Sequence, residues 1–352
     1  MQNKIDNTNN RKLSVLCVIM AGCLWGMMGL FVRNLAADGL SSLEIVVLRS
    51  IGSTVLMAII LVVMDLINRK KSLRREAHAE NEVYAGHVGR DGNSENVGYS
   101  SLFRIRIEDI WCFIGTGIVS LTFFNLCYFT TIQMTSMAVA AILMYTSPIF
   151  VVIFSAIFFG ERITGSKIVA LVLAFAGCAL VTGIISAGDG MVMPIKGILI
   201  GIGSGVGYAL YSIFGRFAIE RGYRSETITF YTFLLAAIGI CIVSPYLCPI
   251  PEIVTKLVNG NTGRDILLIL GQSFLVTVLP YLLYTKGLNG LENGMAGIIA
   301  SVEPVVAAIL GMLVYGERLA VSGYMGVLLV LGAIVILNLP QKKTDITIDS
   351  SK

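Results

Sequence analysis

Residues Pro148 to Arg162 read PIFVVIFSAIFFGER, and residues Pro304 to Arg318 read PVVAAILGMLVYGER. The Pro, Gly, Glu and Arg of the two segments coincide at a spacing of 156 residues. The same spacing relates Tyr128 to Tyr284 and Ala140-Ala141 to Ala296-Gly297. Nearer the start of each copy, Phe31 and Arg33 correspond to Phe214 and Arg216 at a spacing of 183. The 27-residue difference is the extra length of a polar stretch in the first copy. A chain that repeats itself in this way is two related units, and everything else is read within that frame.

Both quoted segments are apolar from the proline to the glycine, and they typify the chain. Hydrophobic residues make up 55% of the 352 and charged residues 14%, against about 25% charged in a soluble domain. Mean hydropathy is +0.81. About twenty consecutive apolar residues cross the hydrocarbon core of a bilayer. Ten such runs are present, at 13–33, 43–67, 109–131, 137–159, 164–185, 196–217, 226–247, 266–287, 295–315 and 321–339. Pro245 and Pro249 close the seventh. The first resembles a secretory signal, with Arg11-Lys12, an apolar stretch and Met20-Ala21-Gly22-Cys23, but it continues through Trp25 to Val32 and reads as a span.

The fold expected is all-α and membrane-integral: ten transmembrane helices as two inverted five-helix repeats, N- and C-termini cytoplasmic. Residues 1–12 form a tail, 13–185 the first repeat with a polar cytoplasmic loop at 68–108, 196–339 the second repeat, and 340–352 a second tail. With the N-terminus inside, cytoplasmic segments hold twenty Lys and Arg and the other side five, as positive-inside bias requires. Five spans per unit make the second copy enter the bilayer from the opposite side. Inverted repeats serve secondary transporters, because two related halves give two related states, one open to each side. The loop at 68–108 has few apolar residues and is expected to be disordered or to lie on the membrane surface. Its basic run, Arg69-Lys70-Lys71 with Arg74-Arg75, either anchors the chain by charge alone or binds anionic lipids. Nucleic acid is not an expected partner; a monomer and a homodimer both remain open.

The doubled Pro-to-Gly-Glu-Arg helix, Leu24-Trp25-Gly26 in the first span and Glu44…Arg49 in the second resemble the EamA-type members of the drug/metabolite transporter superfamily. The resemblance covers about 13–339 and implies a ten-helix carrier with a central cavity working by alternating access. Relatives of this kind export amino acids and other metabolites, or move sugars, nucleotide derivatives or drugs. The long loop at 68–108 departs from the compact family pattern.

Within the spans, ionisable residues mark function. Glu303 stands mid-run directly before Pro304, where its repeat mate is Ser147. It is expected to bind a cationic substrate group or a coupling proton, or else to sit protonated against a neighbouring Tyr or carbonyl. Arg49 lies about 9 Å below the interface. It pairs with a substrate carboxylate, with Glu44 or Glu303, or reaches the outer headgroups. Trp25, Asn125, Tyr128, Tyr145, Tyr208, Tyr211, Gln272, Tyr281 and Tyr284 form a polar-aromatic set suited either to lining a cavity or to interhelical packing. Tyr208/Tyr211 and Tyr281/Tyr284 each share a helix face. Glu161-Arg162 and Glu317-Arg318 are read as helix-end caps, and GILIGIGSGVG from Gly197 to Gly207 as a packing surface.

Seven cysteines without a CxxC, and His78 and His87 outside the spans, give no metal or cofactor site. The best reading is a non-enzymatic secondary transporter for an amino-acid-like or amphipathic metabolite, exported across a prokaryotic plasma membrane. The alternatives are a carrier for nucleotide- or lipid-linked sugars, which needs several cavity cations where only Arg49 and Lys286 stand, or a membrane-embedded enzyme or sensor.

Overall fold

The structure is a computed structural model that describes residues 2–84, 102–135, 137–181, 194–247, 250–259, 262–316 and 320–338. Ten apolar helices dominate it: α1 (Asn10–Ala37), α2 (Ser42–Tyr84), α3 (Ile107–Met134), α4 (Val139–Phe159), α5 (Gly165–Val181), α6 (Ile195–Glu220), α7 (Ser225–Leu247), α8 (Thr262–Leu288), α9 (Asn293–Tyr315) and α10 (Val321–Leu337). Eight are long and apolar enough to cross a membrane; α5 and α10 are shorter. Large apolar side chains such as Ile157, Leu267, Leu313 and Leu328 stand exposed on the outside of the bundle, which suits a lipid surround. The molecule is an all-helical membrane protein.

Helix α2 departs from expectation. The stretch 68–84, read as part of a disordered or surface loop, continues the helix to Tyr84, because its Arg, Lys, Leu, Glu and Ala residues are good helix formers. The basic run 69–75 therefore lies within a helix; the rest of the loop, 85–101, lies outside the described residues. A further short helix, Ile250–Asn259, joins α7 to α8.

The repeat recurs in the backbone. The runs read as continuous at 137–159 and 295–315 are each broken. Helix stops at Met144 and resumes at Ser147 in α4, and stops at Ala300 and resumes at Glu303 in α9; each boundary is 156 residues from its mate. Proline follows each break by one residue, where its missing N–H is no loss. The resumed helices end at Gly160 and Gly316, both left-handed at φ 64° and 66°. Helices α3 and α8 both widen to π geometry, at Gly115–Thr122 and Phe274–Val278. There a threonine bonds the carbonyl five residues back, Thr122 to Gly117 at 3.1 Å and Thr277 to Gln272 at 3.0 Å. The turns after α1 and α6 match at a spacing of 183, with Gly39 and Gly222 at φ 91° and 84°.

Packing pairs are exchanged in the same way. Helix α1 packs on α8 and α6 on α3, α2 on α7, and α5 on α10. Ala170, Gly177, Gly326 and Ala333, all buried, form the α5–α10 seam. The start of α1 meets Gly290, and the end of α6 donates from Arg216 to the carbonyls of Leu288 and Leu291 at 2.7 and 3.2 Å. Helices α1 and α6 thus run in opposite senses. The face on which α1 starts is called the near face below, and the other the far face.

Candidate functional site

The breaks in α4 and α9 decide which side chains meet. Helix α1 crosses the α9 break at Gly22, where an added Cβ would lie 3.0 Å from the Ala300 carbonyl oxygen. Its mate on α6, Gly205, crosses the α4 break, where a Cβ would lie 2.9 Å from the Leu143 carbonyl oxygen. Only glycine permits both approaches, and they bring Trp25 and Tyr208, three residues further along each helix, to the centre of the bundle.

Trp25 is the hub. Its ring lies 6.2 Å from Tyr208, 5.3 Å from Tyr281 and 5.5 Å from Tyr284. Tyr211 reaches Tyr281 at 4.9 Å. Phe124 continues the cluster to Tyr208 at 5.3 Å and Tyr128 at 5.7 Å. Phe233 packs on Tyr281 at 5.2 Å. These offset and edge contacts add to simple burial. The void between Trp25, Tyr208, Tyr211, Ser212, Tyr281 and Tyr284 is about 10 Å3, room for one water. On this side the chamber is shut.

The tyrosines divide by what their hydroxyls do. Tyr211 bonds Thr285 at 2.6 Å and Tyr284 bonds Ser212 at 2.7 Å, so these two tie α6 to α8. Tyr128, Tyr145 and Tyr208 lie deep among the helices yet remain partly accessible, which is the condition of residues lining a cavity. Arg49 and Glu303 share it.

Glu303 opens the second half of α9, where the half-helix dipole favours an anion. Its carboxylate acts electrostatically on Tyr128, Tyr145, Tyr208 and Tyr281. Among the described residues it has neither a cation nor a hydrogen-bond partner, so the bond to a neighbouring Tyr or carbonyl, the alternative to a binding role, is not made. Arg49 donates to Asn125 Oδ1 at 3.1 Å and approaches Met28 Sδ at 3.1 Å. Its expected pairing with Glu44 or Glu303 is corrected. Glu44 is held by Lys256 at 2.8 and 2.9 Å, and no ion pair joins Arg49 to Glu303. Nor does Arg49 reach for headgroups, because Asn125 turns it inward. Both charges lie within electrostatic reach of the same two rings, Tyr128 and Tyr281.

Of the ten residues singled out as a site from sequence, Trp25, Tyr208, Tyr211, Tyr281 and Tyr284 line this void, and Arg49 is bonded to Asn125 close by. Gln272 is buried elsewhere in α8, with Nε2 unbonded. Lys286 is exposed on the near face, on a separate groove of about 510 Å3 with Met64, Arg224 and Leu283. Phe124, Phe233 and Met28 were not foreseen, since an apolar residue in an apolar run carries no signal of facing a cavity.

Glu161 caps a helix, but not its own. It accepts from the backbone N–H of Asn293 at 2.7 Å and of Gly294 at 3.3 Å, the first turn of α9. Buried Lys167 bridges Glu161 and Glu292. Glu317 and Arg318 lie outside the described residues.

Comparison with known proteins agrees with this architecture. The model of the EamA-like transporter family matches twice, at residues 97–183 and 195–339, and the chain belongs to that family. An uncharacterized transporter of Archaeoglobus fulgidus is 30% identical over 236 residues, 66% of this chain and 79% of its own. The uncharacterized transporter YwfM of Bacillus subtilis is 26% identical over 235 residues, 66% of this chain and 75% of its own. A solved crystal structure shares the fold at a TM-score of 0.67 and 16% identity, covering 93% of this chain and 96% of the other. The protein is a membrane transporter.

Proposed function

We propose that the chain is a secondary carrier for a zwitterionic, amino-acid-like metabolite, exported by alternating access of two inverted five-helix halves. The observation that carries this reading is the pair of opposite charges, Arg49 and Glu303, that address the same two tyrosines without neutralising each other. A charge in a membrane interior is expensive unless something complements it. An α-amino acid supplies both complements at once, a carboxylate for Arg49 and an ammonium for Glu303, and its side chain fits the ring faces of Trp25, Tyr208 and Tyr281. In the substrate's absence a proton on Glu303 serves the same end, which makes this residue the coupling candidate. A nucleotide- or lipid-linked sugar carries a diphosphate, which calls for several cations, and Arg49 is the one cation of the chamber among the described residues.

Broken helices support alternating access, since they place unwound backbone beside the cavity at mid-membrane. The near face, rich in Lys and Arg, is assigned to the cytoplasm. The bacterial and archaeal relatives favour a prokaryotic plasma membrane. Counterflow of labelled amino acids into proteoliposomes, with and without a pH gradient, tests the reading. Uptake of one amino-acid class that loses its pH dependence in Glu303→Gln is expected. Folded protein that moves no amino acid, or Glu303→Gln with unchanged transport and pH dependence, rules it out.

A further inference from the structure

Helix α8 presents different chemistry on its two faces. Tyr281, Tyr284 and Leu288 are buried and share one face, the one that meets Trp25 and Tyr211. Leu279, Leu282, Leu283 and Lys286 share the opposite face, and all four line the near-face groove of about 510 Å3. Groove and chamber have no lining residue in common, so the groove is a site apart from the tyrosine cluster. Its size is that of a small-molecule site, about 300–1,000 Å3.

The groove is apolar at one end and cationic at the other. Leu279 stands at the deep end, and Lys286 lies two turns along, about 10 Å toward the near face. Met64 of α2 and Ile219 of α6 extend the apolar wall, while Arg224, Ser225, Glu226 and Asn289 ring the mouth. Among the described residues Glu226 is the one carboxylate of the lining, and Arg224 bonds both its oxygens at 3.3 Å. That pair cancels, which leaves the exposed Lys286 as the net charge of the groove. Asn289 donates to the Ser225 hydroxyl at 3.4 Å, and the Ser225 O–H is left to donate to a bound acceptor. Beyond Met64 the same helix carries the basic run Arg69-Lys70-Lys71, with Asn68 and Lys71 on Met64's own face.

An anionic amphiphile matches this order. Met64 and the three leucines belong to membrane-crossing segments, so the apolar end lies at the depth of lipid chains. A soluble anion would answer Lys286 and leave the leucines uncovered. A zwitterionic lipid would cover the leucines but bring its own cation to the lysine. We propose that the groove holds one anionic phospholipid, its phosphate on Lys286 and Ser225 and an acyl chain along Leu279, Leu282, Leu283 and Met64. Met64 belongs to the first half and the rest of the groove to the second, so the lipid ties the halves together on the near face. The site does not depend on what the central chamber carries.

The test is thermal unfolding of the full chain, purified free of lipid in a neutral detergent and titrated with dioleoylphosphatidylglycerol. A ligand of the folded state raises the unfolding temperature as it binds. Dioleoylphosphatidylcholine, with the same chains, and inorganic phosphate are the comparison ligands. A saturable rise is expected with phosphatidylglycerol, a much smaller one with phosphatidylcholine and none with inorganic phosphate. Lys286→Glu reverses the charge at an exposed position and should raise the half-saturating phosphatidylglycerol concentration about tenfold or more, while Lys286→Arg should keep it near the wild-type value. Equal rises with the two lipids, a rise with inorganic phosphate equal to that with phosphatidylglycerol, or an unchanged half-saturation in Lys286→Glu overturns the proposal. So does a response lost in Arg69→Gln/Lys70→Gln/Lys71→Gln and kept in Lys286→Glu, which would put the lipid on the basic run instead.

Discussion

Arg49 points its guanidinium at an amide oxygen and a thioether, neither of which carries charge. A guanidinium can hold Asn125 and a substrate carboxylate together because its donors form a fixed planar fork; an ammonium cannot. Arg49→Lys should therefore raise KM by about 10- to 100-fold, the worth of a charge-assisted hydrogen bond of about 1.5–3 kcal/mol, with a smaller change in kcat. The concentration dependence of counterflow measures this. The tyrosines separate in the same way. Tyr211→Phe leaves the Thr285 hydroxyl buried and unpaired, so it should lower stability by about 1–3 kcal/mol in thermal unfolding and leave substrate preference unchanged. Tyr208→Phe, at a hydroxyl without such a partner, should change preference more than stability. Sequence reading found all of these residues, because polar and aromatic groups in apolar runs are conspicuous. It could not divide them, because the spacing along one helix does not say what the next helix offers.

At the scale of elements the breaks in α4 and α9 matter most. Neither Tyr145-Thr146 nor Ser301-Val302 is a helix breaker in itself, so both runs read as continuous. Pro148 and Pro304 were visible, but a proline also suits the first turn of a helix, and only the fold shows that a new helix starts there. The glycines that cross these breaks are a sharper matter. Gly22→Val and Gly205→Val each force α1 or α6 away from a backbone carbonyl, and each should lower stability by about 1–3 kcal/mol, read from unfolding of the purified protein. The same substitution at Gly29, which has open space around it, should cost far less. The helix at 68–84 was missed for a different reason. Low apolar content predicts the lack of a core, but a helix that extends one already anchored in the bundle needs none.

For the whole molecule the repeat was legible from two quoted stretches of fifteen residues, and the backbone obeys its spacings down to the left-handed glycines. What the repeat alone does not announce is where the halves differ, and the differences carry the chemistry: Ser147 against Glu303, and Lys167 against Gly323. Lys167 bridges Glu161 and Glu292 on the near face, and its mate is a glycine, so the far face has no copy of that bridge. Lys167→Met leaves two carboxylates facing each other across the seam. It should favour a near-face-open state, seen as faster labelling of a cysteine placed at Ser212 by a reagent applied from that side. The central claim is that one substrate neutralises Arg49 and Glu303 together. Binding of the transported amino acid, its amide and its deaminated acid should be compared by calorimetry in the wild type, Arg49→Met and Glu303→Gln. The account predicts that Arg49→Met ceases to distinguish the amino acid from its amide while Glu303→Gln ceases to distinguish it from the deaminated acid. Equal losses for all three ligands in both variants would contradict it.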